Sequence, residues 1–260
     1  MIGGGVLGLA LSGVGILAFD WIAGALAPEP AGGGWLAAVA DAAPILQDAL
    51  VLAGLALGLW LAAAWALRRR PLSFVTTAKH FRWPLLAAGF VPFALLQLAA
   101  LGATVGFRAE HGAFVAYPSG LEAAAFCLAA LAFGAPAVMA EEVLFRGWIL
   151  SGDTSAGWRN LLLVLASSLV FCIAHLQSDG LLVALHFVSG AAYGWAVVRL
   201  GGLEFALGAH LAKNTVAAAL LGAPGQHRWG GEFDAVVIAS LAASACLFAV
   251  VEAVRAWRRL

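Results

Sequence analysis

The feature that most constrains this chain is a series of charge-free apolar runs long enough to cross a bilayer. No Asp, Glu, Lys or Arg occurs from Ala49 to Leu67, from Pro84 to Phe107 or from Ala235 to Val251. A helix needs about 20 apolar residues to span the hydrocarbon core. Composition points the same way. Hydrophobic types make up 63% of the 260 residues and charged types 11%, against about 45–50% and about 25% in an average soluble domain. Too little polar side chain remains to coat a water-soluble globule, and disorder, collagen and coiled coil are excluded by the same figures. The expected fold is all-α, a polytopic transmembrane helix bundle.

Eight spans are expected, over residues 4–27, 45–67, 84–106, 121–150, 159–177, 180–200, 203–222 and 234–256. The breaks between them carry Gly, Pro or charge, as at Arg68-Arg69-Arg70-Pro71 and Gly201-Gly202. Residues 72–83 read as a short interfacial helix or loop. No second domain or internal repeat is visible, so residues 1–260 are expected to form one integral membrane domain. Met1 to Gly5 lack the positive charge of a cleaved signal, so the first run is expected to be a retained span.

The positive-inside rule orients the chain. With both termini cytoplasmic, Arg68, Arg69, Arg70, Lys79, Arg82, Arg146, Arg159, Arg199, Arg255, Arg258 and Arg259 fall inside. Only Arg108 and Arg228 fall outside, and Lys213 lies within a span. A bacterial plasma (inner) membrane is expected from the Ala, Gly, Leu and Arg bias. Lys+Arg and Asp+Glu balance at 14 each, so no basic field exists to hold nucleic acid. The lipid bilayer is the evident partner. Cys127, Cys172 and Cys246 sit in apolar runs and read as small buried hydrophobes. Gly54-x-x-x-Gly58 and Gly190-x-x-x-Gly194 read as helix packing.

Ionised groups inside a membrane are costly and mark partners, cavities or function. Asp20 and Glu122 sit near span ends, where a wet interface explains them. Gln97 reads as a helix–helix hydrogen bond, and His186 as a satisfied core histidine. The remaining polar residues form three clusters. In Glu141-Glu142-Val143-Leu144-Phe145-Arg146, Glu142 and Arg146 are four apart and can pair on one helix face. Glu141 projects about 100° away. In Phe171-Cys172-Ile173-Ala174-His175, His175 follows Phe171 by one turn. In His210-Leu211-Ala212-Lys213-Asn214, His210 and Asn214 share a face. A carboxylate, two imidazoles and an amide on three helices suit general-base activation of water with oxyanion stabilisation.

These motifs, Glu-Glu-x-x-x-Arg, Phe-x-x-x-His and His-x-x-x-Asn in order on successive spans, resemble the CPBP family. That family comprises the type II CAAX prenyl proteases, the Abi proteins and bacteriocin-processing enzymes. The resemblance covers roughly residues 120–225. It implies an eight-helix intramembrane endopeptidase of the glutamic type, without a cofactor or metal. The substrate would be a peptide or protein, membrane-associated or lipidated, including prenylated CAAX ends. By position, Glu141 and His175 would activate the water, and His210 and Asn214 would stabilise the oxyanion. Glu142, Arg146 and Phe171 would support the site.

Two rival readings come from other classes. A zinc-dependent intramembrane metalloprotease would use His175, His210 and Glu141, although no His-Glu-x-x-His occurs. A non-enzymatic transporter or immunity protein would use the same intramembrane charges, although no transporter-like repeat is visible. Serine-type and aspartyl-type proteolysis lack support: there is no Gly-x-Ser-Gly, and Asp20 has no evident mate.

Overall fold

The computed structural model describes residues 8, 10–13, 34–104, 117–150, 157–222 and 234–258. Among these it is helical throughout, with one isolated bridge pairing Thr76 and Gly202. The helices are α1 (Trp35–Asp41), α2 (Ala43–Ala66), α3 (Trp83–Ala103), α4 (Gly120–Glu142), α5 (Trp158–Ala174), α6 (Gly180–Leu200), α7 (Glu204–Leu221) and α8 (Asp234–Trp257). Helices α2 to α8 fall on the expected runs from 45–67 onward, whereas the short α1 was not expected. Span 4–27, Asp20 and the loops holding Arg108 and Arg228 lie outside the described residues or almost so. The all-α polytopic membrane fold is what the structure shows. Five described helices are long and apolar enough to cross a membrane: α2, α3, α4 with its extension to Gly147, α6 and α8. Helix α5 is apolar but shorter.

The chain divides into two compact units. One comprises Met1–Arg69, Ala109–Glu141 and Asn214–Arg228. Its described core gathers Ala38, Ala42, Phe126, Ala129, Ala130 and Ala218, with Tyr117 and Phe133 packed against them. Small alanines let these backbones approach closely, which is how helices associate when lipid is as apolar as the side chains. Tyr117 donates its hydroxyl to the Ala219 carbonyl at 3.0 Å. Gly54 lies so close to the backbone of Ser12 that no Cβ would fit. At the start of α4, the Ser119 hydroxyl accepts from the Glu122 backbone N–H and donates to its carboxylate, a reciprocal cap.

The other unit comprises Arg70–Arg108, Glu142–Lys213 and Trp229–Leu260. Helix α8 packs on α6 and α3, and α5 packs on α6. The buried face of α5 is Asn160, Val164, Ser167, Ser168, Phe171 and Cys172, at helical spacing. Its exposed face is Leu161, Leu162, Leu163, Leu165, Leu169, Val170 and Ile173. Small and polar residues point inward and large apolar ones outward, the pattern of a helix facing lipid. Gly190 and Gly194 turn toward α5: a Cβ on the first would meet Phe171 and Ser168, and on the second Val164. Gln97 accepts from Ser240 across α3 and α8 at 2.9 Å, as its position suggested.

Two devices set α7 in place. Gly89 on α3 and Gly208 on α7 face each other's helices with no room for a Cβ, the first against the Phe205 carbonyl and the second against that of Leu86. The turn from α6 to α7 uses Gly201 and Gly202, with φ of 74° and 152°, values that favour glycine. Arg82 clamps this turn. Its Nη1 and Nη2 donate to the Leu200 and Gly201 carbonyls at 2.9 and 2.7 Å, and its Nε and Nη2 to the Glu204 carboxylate at 2.8 and 2.6 Å. Residues 204–210 are buried all round. Such a helix segment belongs to an interior.

Candidate active site

The expected span 121–150 is not one uniform helix. Helix α4 ends at Glu142 and continues as a π-helical turn, Val143–Gly147. Wide turns of this kind leave backbone groups to be satisfied elsewhere and recur at functional sites. Here the Ser167 hydroxyl donates to the Phe145 carbonyl at 2.6 Å. Gly147 allows the turn to press against the Phe74 carbonyl, where a Cβ would lie 2.8 Å away.

This turn delivers Arg146 to the centre of the second unit. Glu142 and Arg146 are both completely buried and pair at 2.9 Å, as their spacing predicted. Arg146 therefore leaves the set of cytoplasmic charges counted from sequence. Its guanidinium carbon lies 4.1 Å from the Phe171 ring centroid and 5.7 Å from that of Tyr193. Aromatic faces thus supply cation–π contact where water is excluded.

Glu142 has a second partner. His210 Nδ1 lies 2.9 Å from the same oxygen, Oε1. The carboxylate accepts from both a guanidinium and an imidazole. With the imidazole neutral, the buried trio sums to zero charge, which limits the desolvation cost of burying ions. Tyr193 stacks on the His210 ring at 4.9 Å and 20°.

His175 ends α5. Its Nδ1 lies 2.8 Å from the Phe171 carbonyl, and a carbonyl only accepts, so Nδ1 carries the hydrogen. The next residue, Leu176, takes a φ of 50°, a left-handed conformation uncommon for leucine. The chain reverses there into α6, which Asp179 caps by accepting from the Leu181 and Leu182 N–H groups. At the end of α5 His175 lies on Phe171 at 4.4 Å, and the hairpin brings it against His186 at 4.2 Å, ring centre to ring centre. Phe171 also meets the His210 ring at 5.9 Å. His175 and His210 thus lie on one phenylalanine ring, Phe171.

The structure therefore joins Glu142, Arg146, Phe171, His175 and His210 of the expected residues. Glu141, half-buried, directly precedes Glu142 as the last residue of an Ala109–Glu141 segment in the other unit. Asn214 lies one turn beyond His210 on α7, exposed, and begins the Asn214–Arg228 segment. Three residues join the site that sequence reading did not place there. His186 was read as a core histidine, and its Nδ1 is indeed bonded, to the Leu182 carbonyl at 2.7 Å. Yet its ring lies on His175. Tyr193 stacks on His210, and Lys213 Nζ lies 3.2 Å from Ser189 Oγ. The signal was present in α6: His186, Ser189 and Tyr193 form a polar stripe at spacings of three and four in an apolar helix. Among the described residues no three His, Cys, Asp or Glu side chains gather as a metal-ligand set.

Comparison with known proteins agrees with the motif reading. Residues 122–216 match the family described as type II CAAX prenyl endopeptidase Rce1-like. The uncharacterized protein YyaK of Bacillus subtilis (strain 168) is 24% identical over 164 residues, which is 60% of this chain and 54% of YyaK. The chain thus spans about half the length of this curated relative. No solved structure matches.

Proposed function

We propose that this chain, an integral membrane protein with a type II CAAX prenyl endopeptidase Rce1-like region at residues 122–216, is an intramembrane endopeptidase of the glutamic type. The observation that carries the reading is the buried trio of Glu142, Arg146 and His210, with His175 set on Phe171 beside it. A chain that needed only helix register would gain little from three ionisable groups buried together. Two imidazoles and a carboxylate pair held away from lipid suit hydrolysis of a bond in a membrane-associated peptide.

The roles follow the motif positions. Glu141 and His175 take the proton of an attacking water, whose oxygen bonds to the scissile carbonyl carbon. With Nδ1–H committed to Phe171, His175 presents Nε2 as the proton acceptor. The carbonyl π electrons move to oxygen, and His210 and Asn214 stabilise that oxyanion. Because His210 Nδ1 is bonded to Glu142, Nε2 is the ring atom that would donate to the oxyanion. Collapse of the intermediate breaks the C–N bond, and the leaving amine takes the proton first removed from water. The catalytic region is residues 120–225 of a single membrane domain, in a bacterial inner membrane with both termini cytoplasmic. The substrate class is a peptide with a lipidated C-terminal CAAX box.

The test is cleavage of paired fluorogenic peptides, farnesylated and unmodified, by protein purified in detergent with and without a strong chelator. Chelator-indifferent cleavage favouring the farnesylated peptide is expected. Loss with chelator and recovery with zinc would overturn the metal-free mechanism, and equal cleavage of both peptides would overturn the substrate class.

A further inference from the structure

We propose that His186 is a positioning residue that holds His175 in the tautomer a general base requires. The inference rests on the protease reading for its catalytic consequence, but its structural content stands on the geometry of two rings. His175 and His186 lie with centroids 4.2 Å apart and planes 36° from parallel. Each commits Nδ1–H to the carbonyl four residues earlier, His175 to Phe171 at 2.8 Å and His186 to Leu182 at 2.7 Å. In free histidine the hydrogen prefers Nε2. Here each Nδ1 keeps its hydrogen, so in the neutral ring the lone pair falls on Nε2.

At the end of α5, His175 is tied to the Phe171 carbonyl. It follows the last residue of the helix, and Leu176 beyond it is exposed in a strained turn. At this helix end, ring faces covered by neighbours keep the imidazole aligned with the Phe171 carbonyl. Phe171 covers His175 from its own helix, in an edge contact at 4.4 Å. His186 covers it from α6, and His186 is itself rigidly held. It lies in the second turn of an Asp179-capped helix, with its Nδ1 tied to Leu182 and its carbonyl accepting from Ser189 at 3.3 Å. Ser189 also meets the Lys213 ammonium, and Lys213, His175 and His210 are the charged or titratable groups around His186.

What the position supplies is a flat, fixed ring face. Phenylalanine supplies the same, which separates positioning from direct chemistry. Wild type, His186→Phe and His186→Ala would be compared by 15N NMR of the histidine rings and by kcat and KM on a peptide that wild type cleaves. The His175 signals should show Nδ1–H in wild type and His186→Phe, and revert toward Nε2–H in His186→Ala. In parallel, kcat should hold in His186→Phe and fall about 10- to 100-fold in His186→Ala at unchanged KM, the cost of a misplaced catalytic group. An unchanged tautomer in His186→Ala would overturn the proposal, and so would a kcat loss in His186→Phe as large as in His186→Ala. Were wild type to cleave no peptide, the protease reading would fail while the tautomer measurement still decided the role of His186.

Discussion

Glu142 Oε1 lies 2.9 Å from His210 Nδ1 and 2.9 Å from Arg146 Nη1, with Glu142 and Arg146 fully buried. One oxygen thus balances a guanidinium and orients an imidazole sixty-eight residues further along the chain. Removing one member of a buried ion pair leaves an uncompensated charge and costs about 3–5 kcal/mol. Glu142→Ala should therefore lower the unfolding midpoint in detergent sharply. Glu142→Gln keeps the shape but removes the charge that balances Arg146, so it should also lower the midpoint, by less than Glu142→Ala. Equal unfolding midpoints for wild type and both variants would mean that this buried pair does not hold the unit together.

The crossing of α3 and α7 gives a second prediction. Gly89→Ala and Gly208→Ala each place a methyl group into a facing backbone carbonyl. Backbone cannot yield as a side-chain tip can, and overpacking costs about 1–3 kcal/mol. Both variants should lose several degrees of thermal stability, whereas Gly102→Ala on α3, with open space at its Cβ, should be neutral or gain up to about 1 kcal/mol. Equal stability of all three would mean α3 and α7 do not meet at these glycines.

The Arg82 guanidinium makes four hydrogen bonds of 2.6–2.9 Å to Leu200, Gly201 and the buried Glu204. Arg82→Lys cannot reproduce the planar fork. It should speed hydrogen exchange at residues 200–204 and at Thr77, whose N–H and hydroxyl also bond to the Gly201 carbonyl. Unchanged exchange there would show that the glycines hold the turn alone.

The lipid-facing surface is testable by charge. Leu95, at mid-height of α3, is 62% exposed. On a water-soluble protein Leu95→Arg would be harmless. In a bilayer a central arginine costs about 2.5–3.5 kcal/mol on insertion scales. The variant should accumulate poorly in carbonate-washed membranes, while Gln97, two residues on, bonds to Ser240 and marks the protected face. Wild-type accumulation of Leu95→Arg would contradict the membrane assignment of α3.

Much of this was legible in the sequence, for a physical reason. Membrane helices announce themselves by length and apolarity, so α2 ends just before Arg68, α3 begins after Arg82, α6 ends before Gly201 and α8 begins at Asp234. The Glu142–Arg146 pair was legible because its partners are four residues apart on one helix. Its third member was not, because His210 meets Glu142 only through the Gly89–Gly208 crossing and the Arg82 clamp. The π turn at Val143–Gly147 was hidden because no residue there breaks a helix; it depends on Ser167 and Phe74 from distant segments. The contact of His186 with His175 was not legible because it requires the hairpin through Leu176.

The central claim is that Glu141 and His175 activate water for peptide hydrolysis. It is tested most directly by incubating purified wild type, Glu141→Ala and His175→Ala with one farnesylated CAAX peptide and weighing the products by mass spectrometry. The account predicts cleavage by wild type alone, with all three proteins showing the same helical content. Cleavage by Glu141→Ala at the wild-type rate would contradict it.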